Sequence, residues 1–417
     1  MIRLAVFTAL GSLMLATAAA AGPEWTFGPE NQGTLKFEYK GQFQLVARDD
    51  GSGYQNDENT YHFNFRRNRL ALMGTYGEVM SVYVQTEFTE DFNVGTLAVA
   101  DQDQGSEFQM LDAVVRFDLH PAFKVSVGKF KYNLSRENLE SCENPLTLDR
   151  SLYIRAPFVT TRDAGVAVWG NLYGDRLQYR ADLMEGRKAV GYATAPKSNF
   201  RYSVRGHVSL LEPESEYGYR GTYLGKKKVF TLGAAYQVEP NAVFTDTVTK
   251  LGVAHYKGWT ADAYAEYPLE GVGTFTFGSA YEKVDFDESY LTLHPELGAL
   301  GLNGEKNGWY VKGGYLLPKH PVQLFGRFEQ WRFAMLNNVY DQGVDWFGAG
   351  VNYFVRDQQL KLTFEASRTS FDRTGTFDGL QGAGLTTRDF NTFTTQLQVV
   401  FCERAALPAG SVLSGAA

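Results

Sequence analysis

The sequence predicts an all-β fold: a 16-stranded antiparallel transmembrane β-barrel. Three observations carry this reading. Stretches of about ten residues alternate apolar with polar side chains along most of the chain. The connections between them alternate in length, short then long. The composition is also unusual, because Phe, Tyr and Trp reach 14% while the mean hydropathy is only −0.28. A barrel wall produces that mixture, since half of each strand is polar and aromatic girdles flank the lipid band.

The stretch 35–48 shows the pattern most plainly. Leu35, Phe37, Tyr39, Phe43, Leu45 and Ala47, with Gly41, share one parity. Lys36, Glu38, Lys40, Gln42, Gln44 and Arg48 share the other, with Val46 its only apolar member. Successive strand side chains point to opposite faces, so this ribbon has one greasy and one charged side. An Arg or Lys on the lipid side costs about 2–4 kcal/mol at mid-bilayer, so the charged side must meet water.

Residues 1–21 read as a secretory signal, with Arg3, an apolar run and a small-residue cleavage site at Ala18–Ala21. That run is shorter than the roughly 20 residues a bilayer-spanning helix needs. Residues 22–34 then form an N-terminal periplasmic segment, 35–401 the barrel and 402–417 a C-terminal tail. The net charge of −7 and the lack of a basic domain argue against nucleic acid as a partner. Cys142 and Cys402 are the only cysteines, with neither a haem-attachment nor a metal spacing around them. The expected topology puts them at opposite ends of the barrel, so no disulfide and no cofactor are expected.

In order, the strands are expected at 35–48, 63–76, 80–88, 109–119, 123–131, 162–171, 177–184, 200–210, 229–237, 258–267, 274–284, 307–316, 322–330, 346–354, 360–367 and 390–401. Sixteen is even, as for bacterial barrels. In the second, Leu70, Leu72 and Tyr76 face lipid while Arg67, Arg69 and Thr75 face inward. In the fourth, Ala113, Val115 and Phe117 point out and Asp112, Arg116 and Asp118 point in. Even-numbered strands end in short links such as Gly77-Glu78 and His120-Pro121-Ala122. Odd-numbered strands end in long polar ones, the longest being 132–160. Short periplasmic turns and long external loops are the outer-membrane arrangement. One link breaks the rule, because 211–228 is long where a short turn belongs. The final strand closes on Phe393, Leu397, Val399 and Phe401 against Thr394, Gln396 and Gln398, resembling the aromatic terminal signal of outer-membrane proteins.

Several motifs lie in one order along this frame: Phe65-Arg66-Arg67-Asn68-Arg69-Leu70, Asp112-Ala113, Val127-Gly128-Lys129-Phe130-Lys131 and Asp149-Arg150-Ser151. Arg162-Asp163-Ala164-Gly165-Val166, Tyr223-Leu224-Gly225-Lys226-Lys227-Lys228 and Gly350-Val351-Asn352-Tyr353-Phe354 follow them. With this order and spacing, from about 35 to 401, the chain resembles the phosphate-selective porin O and P family. The resemblance implies a trimeric, water-filled channel of the Gram-negative outer membrane. It also implies that the loop after the fifth strand folds inward as a constriction. Here that loop is 132–160, carrying Arg136, Glu137, Glu140, Glu143, Asp149 and Arg150.

In a pore, rings of Arg and Lys favour anions and rings of Asp and Glu favour cations. The inward parity carries Lys36, Lys40, Arg48, Arg67, Arg69, Arg116, Arg162, Arg180, Arg201, Arg205, Lys312, Arg327 and Lys361. Against them stand Glu38, Glu87, Asp112, Asp118, Asp163, Asp182, Asp262, Glu266, Glu282, Glu329 and Glu365. The balance is slightly positive, and most of these charges are expected to pair across strands. Arg66, Arg67 and Arg69 are the best anion candidates, because guanidinium groups bind oxyanions bidentately. With Lys40, Arg116, Lys129, Lys131, Arg180 and Arg205 they make the expected pore-lining, anion-binding set. Arg69 and its neighbours have an equal claim to simple pairing with Glu87 or Asp112. The acid excess of the constriction loop argues against phosphate selectivity.

Other features carry less. Gly221–Lys226 lacks the spacing and the Ser/Thr of a phosphate loop, Lys226–Lys228 reads as a solvated rim, and of six scattered histidines only His207 points inward. The expected function is passive diffusion of small hydrophilic solutes, weakly preferring anions or oxyanions, through a homotrimer in outer-membrane lipid. The alternative is a barrel sleeve around a periplasmic multihaem partner, which would bring its own cofactor. An outer-membrane enzyme lacks a catalytic grouping in this sequence.

Overall fold

The computed structural model describes residues 24–54, 57–88, 108–151, 161–186, 196–197, 199–245, 249–285, 305–336, 339–378 and 384–401. The expected signal segment 1–21, the expected tail 402–417 with Cys402, and residues 152–160 of the long loop lie outside them. Sixteen strands form the wall: β1 Gly33–Ser52, β2 Glu58–Tyr76, β3 Met80–Glu87, β4 Gln109–His120, β5 Phe123–Lys131, β6 Arg162–Leu172, β7 Leu177–Met184 and β8 Arg201–Ser209. Then come β9 Val229–Val243, β10 Ala254–Leu269, β11 Gly273–Asp285, β12 Lys306–Leu316, β13 Val322–Leu336, β14 Val339–Arg356, β15 Leu360–Phe371 and β16 Phe390–Phe401. Each pairs antiparallel with its sequence neighbours, and β16 returns to β1, from Thr392↔Arg48 to Phe401↔Tyr39. The barrel is closed, and every expected strand is present. Several run further than the alternation suggested, β9, β13 and β14 especially, because their outer ends continue as hairpin ladders beyond the alternating stretch.

Parity separates the two faces as expected. Phe43, Leu45, Phe275, Phe347 and Phe364 stand exposed on the outside, whereas Glu38, Gln42, Gln44, Gln396 and Gln398 are buried inside. Outer aromatics pair across strands, Phe275 with Tyr315 at 5.0 Å and Trp309 with Phe328 at 5.3 Å between centroids. Trp259 and Trp309 belong to that outer face; Trp169 and Trp346 point inward, the latter under the Arg327 guanidinium at 3.4 Å.

One irregularity matters for the interior. The β1–β2 register steps from Gln42↔Arg67 to Phe43↔Phe65, so Arg66 is an extra, bulged residue. A bulge shifts alternation by one. Phe63 (85% exposed) and Phe65 therefore face out although Arg67 and Arg69, of the same parity, face in. Gly128 marks a different constraint. Its φ is +132°, and a Cβ there would sit 2.1 Å from the Ala113 carbonyl oxygen. Gly128→Ala is expected to cost the folded barrel about 1–3 kcal/mol in backbone strain alone. The check is a lower temperature for conversion of the folded to the unfolded band on a detergent gel.

Outside the wall, a short strand at Glu24–Phe27 pairs with Gly33–Lys36 of β1, and a hairpin joins Gly375–Asp378 to Gly384–Thr387.

Candidate functional site

Two connecting segments meet inside the barrel. The first leaves β5 at Lys131. Tyr132 and Leu134 pack on an apolar seat of inward side chains, Val114, Phe130, Ala167, Met184 and Ala235. A one-turn helix follows at Arg136–Leu139, with Ser135 as its cap accepting from the Asn138 amide at 3.0 Å. From there the segment reaches the far wall. Ser151 Oγ donates to Glu329 of β13 at 2.6 Å, and Asn352 of β14 donates to the Leu146 carbonyl at 2.9 Å. Gln42 of β1 and Gln398 of β16 donate to the carbonyls of Cys142 and Glu143, at 3.2 and 2.9 Å.

The second segment is the misfit of the sequence, 211–228. It is long because it rises into the barrel rather than turning below it. The Arg136 guanidinium grips Glu214 through both nitrogens, at 2.8 and 2.7 Å, with both side chains about 2% exposed. Main chain meets main chain beside this pair. The Ser141 amide donates to Tyr219 at 2.9 Å, that of Tyr219 to Leu139 at 3.3 Å, and that of Gly221 to Asn144 at 2.8 Å. Tyr217 donates to Asn133 at 3.0 Å, and Tyr219 shares a 2.7 Å hydrogen bond with Nδ1 of His207. Burial raises the Glu214 carboxyl, but Arg136, helped by Tyr223, outweighs it and brings the group down to about 2. None of Glu214, Tyr217 or Tyr219 was singled out from the sequence; the only signal was the anomalous length of their segment.

The acids of the first segment do not face open water. Glu137 and Glu140 both bind Lys312 of β12, the latter at 3.3 Å. Glu143 takes Lys40 at 3.0 Å. Asp149 accepts from Arg66 and from Arg67, each at 2.7 Å, which the bulge permits by turning both arginines inward. These two arginines, beside Arg150, hold the Asp149 carboxyl well below the usual range despite its burial.

The expected pore-lining residues divide accordingly. Lys40, Arg66 and Arg67 meet the loop acids. Arg69 pairs with Glu87 at 2.7 Å and Arg205 with Asp262 at 2.7 and 2.9 Å, so both act as wall ion pairs. Arg180 is stacked between Tyr217 and Tyr219 at 4.5 and 4.7 Å, and Arg116 stands 5.7 Å from Tyr217. Lys129 is misplaced in the expected set. It lies opposite Ala113 on the parity of Val127, the outward face, and its ammonium donates to the Met110 carbonyl. Gly128, not Lys129, takes the inward position there. Lys131, the last residue of β5, turns in and donates to the Glu140 carbonyl at 2.7 Å.

Among the described residues, the interior cations that form no salt bridge with a carboxylate include Lys131, Arg150 and Lys361 beside the first segment, and Arg180 and Lys306 elsewhere on the wall. Lys131 and Arg150 bond only to carbonyl oxygens of the loop, and the Lys361 ammonium has no hydrogen bond at all. Lys361 sits level with Gln42, one strand away across Gln398. The excess shows on Cys142. Burial raises its thiol, yet Arg150, Arg67, Lys131 and Arg69 together hold it well below its ordinary value. Glu140 goes the other way: burial, and then the neighbouring Glu137, push it up to about 7 against Lys312.

A carboxyl raised in the folded state favours folding most in acid, and that contribution is lost as the pH rises toward about 7. The folded loop gains a negative charge as the pH passes through about 7. Anion permeability relative to cation is therefore expected to fall between pH 6 and pH 8, read as a shift in reversal potential, with Glu140→Gln reducing the size of that shift.

The phosphate-selective porin O and P family model matches residues 37–401. The chain belongs to that family. As a porin, it is an outer-membrane channel of a Gram-negative bacterium, and family and fold point to a channel rather than an enzyme. An anion-selective porin from Comamonas acidovorans superposes at TM-score 0.55 with 11% identity, over 88% of this chain and 100% of that one. The channel DcaP of Acinetobacter baumannii gives 0.52 with 13% identity, over 91% and 99%. OmpT of Vibrio cholerae, in trimer form, gives 0.51 with 12% identity, over 88% and 99%. By sequence, an uncharacterized protein of Aquifex aeolicus (strain VF5) is 22% identical over 360 residues, 77% of this porin and 80% of that protein.

Proposed function

We propose that this porin is a narrow, anion-preferring diffusion channel for small oxyanions, working as a homotrimer, with 132–151 as its constriction. The observation that carries the sign is the group of interior cations that form no salt bridge, Lys131, Arg150 and Lys361 beside the loop with Arg180 and Lys306 on the wall. The acids that weighed against anions in the sequence are each engaged by a wall cation. A charge held in a low-dielectric passage attracts counter-ions far more than it would in water. The anion selectivity of the Comamonas acidovorans porin and the trimer form of OmpT support the same reading by similarity of fold. A sleeve around a folded partner fits less well, because two segments of the chain itself already bond to each other within the barrel.

Reversal potentials of the purified porin in planar bilayers, under a salt gradient, test this directly. Anion over cation permeability is expected, with phosphate and sulfate compared against chloride. A cation preference at neutral pH overturns the reading.

A further inference from the structure

The constriction of this porin is held from below. Residues 132–151 enter from the extracellular ends of β5 and β6, and 211–228 enter from the periplasmic ends of β8 and β9. They join by a buried bidentate ion pair and three main-chain hydrogen bonds. The lower segment is itself fixed to the wall. Tyr223 and Gly225 amides donate to Glu266 of β10 at 2.9 and 2.8 Å, and Asn171 of β6 donates to the Ser215 carbonyl at 2.9 Å. At its base, Lys227 donates to the Pro213 carbonyl and the Glu212 amide to that of Lys228, which closes it as a hairpin. A plain periplasmic turn would need none of this.

We infer that 211–228 is a periplasmic latch that sets the position of the constriction, with Glu214 as its positioning residue. The inference rests on the reading of 132–151 as the constriction. Glu214 lies on neither the wall nor that loop, and it reaches the permeating ion only through Arg136. Arg136 is wedged between the rings of Tyr219 and Tyr264, at 4.4 and 3.9 Å, so its guanidinium bonds only in the plane between them, to Glu214 and to the Arg220 carbonyl at 3.2 Å, both in the lower segment. Releasing Glu214 removes the two-pronged anchor of the helical turn at Arg136–Leu139, leaving it on the Arg220 carbonyl and the main-chain bonds, and lets Cys142, six residues on, move from its buried place. The state of the periplasmic segment thereby governs the width and ion preference of a loop that belongs to the external side.

The test uses the full-length porin carrying Cys402→Ser, so that Cys142 is the single thiol. Two readouts are taken: single-channel conductance with reversal potential in planar bilayers, and the labelling rate of Cys142 by a charged methanethiosulfonate. Glu214→Gln is expected to speed labelling about tenfold, to raise open-channel conductance about twofold with added flicker, and to shift the reversal potential. Arg136→Lys keeps the charge but loses the two-pronged grip, and should fall between it and the parent. The exchange R136E/E214R should return both readouts toward the parent. Unchanged labelling and conductance in both Glu214→Gln and Arg136→Lys overturn the latch. If labelling accelerates while conductance and reversal potential stay fixed, the latch stands and it is the constriction reading of 132–151 that fails.

Discussion

Neutralising the three cations beside the loop, as Lys131→Met, Arg150→Gln and Lys361→Met together, is expected to abolish anion preference. Each unit charge about 8 Å from a permeating ion contributes about 2 kcal/mol at an effective dielectric constant near 20. Every 1.4 kcal/mol is roughly tenfold in a partition constant, so the anion-to-cation permeability ratio should fall by at least about tenfold and cross unity. Removing these charges breaks no salt bridge, and Asp149, which Arg150 stands beside, keeps Arg66 and Arg67. The barrel should therefore assemble, and the reversal potential should change sign. Retention of anion preference in the triple variant would move the selectivity elsewhere in the lumen, with Arg116 and Arg180 the next groups to test.

The second large effect is structural. Arg66 and Arg67 share one carboxylate, Asp149, and the double change R66Q/R67Q strips it of both cations. Breaking a fully buried ion pair by removing one side typically costs about 3–5 kcal/mol, and less is expected here because Asp149 is 16% exposed and keeps Arg150 beside it. Asp149 is also what ties the loop to β2, so the cost falls on loop docking rather than on the strands. The expected outcome is faster protease nicking within 132–151 of the folded barrel, together with a noisy open channel. Because the Asp149 carboxyl is depressed in the folded state, its clasp is complete above the ordinary carboxylate range. It is lost only as the pH falls through the lowered folded value. Nicking in the parent should thus stay slow from neutral pH down through mildly acidic pH, and a marked acceleration near pH 5 would count against the clasp.

The wall was legible because period-two alternation is a consequence of strand geometry, and a barrel in lipid enforces it residue by residue. Leu35 to Arg48 sufficed to orient β1, and the lengths of the links separated the two ends of the barrel. What stayed hidden depends on one-residue shifts and on contacts between distant segments. Nothing in Asn64-Phe65-Arg66-Arg67 announces the bulge that sends two adjacent arginines to the same side. Lys129 was misjudged through its charge and its place before the loop, when the outward parity of Val115 and Phe117 on the neighbouring strand already placed it outside. The loop acids read as a repulsive filter because their partners, Lys40, Arg66, Arg67 and Lys312, come from strands far away in the chain. The 211–228 segment was noticed only as an exception. A long link on the side where links are short is the trace an inward excursion leaves in sequence, and its partner Arg136 lies some eighty residues earlier.

The strand β1 receives both extremities of the described chain on one edge. Phe401 ends opposite Tyr39, and three residues further down that edge Lys36 is matched by Glu24, with Phe27 reaching Gly33 at the rim. The seam is therefore a three-part joint in which the last-synthesised strand must slot in above a clip formed from the first residues of the mature wall. Without β16 that side of β1 would hold an unmatched backbone margin. A chain truncated before Phe390 has no strand to offer that edge.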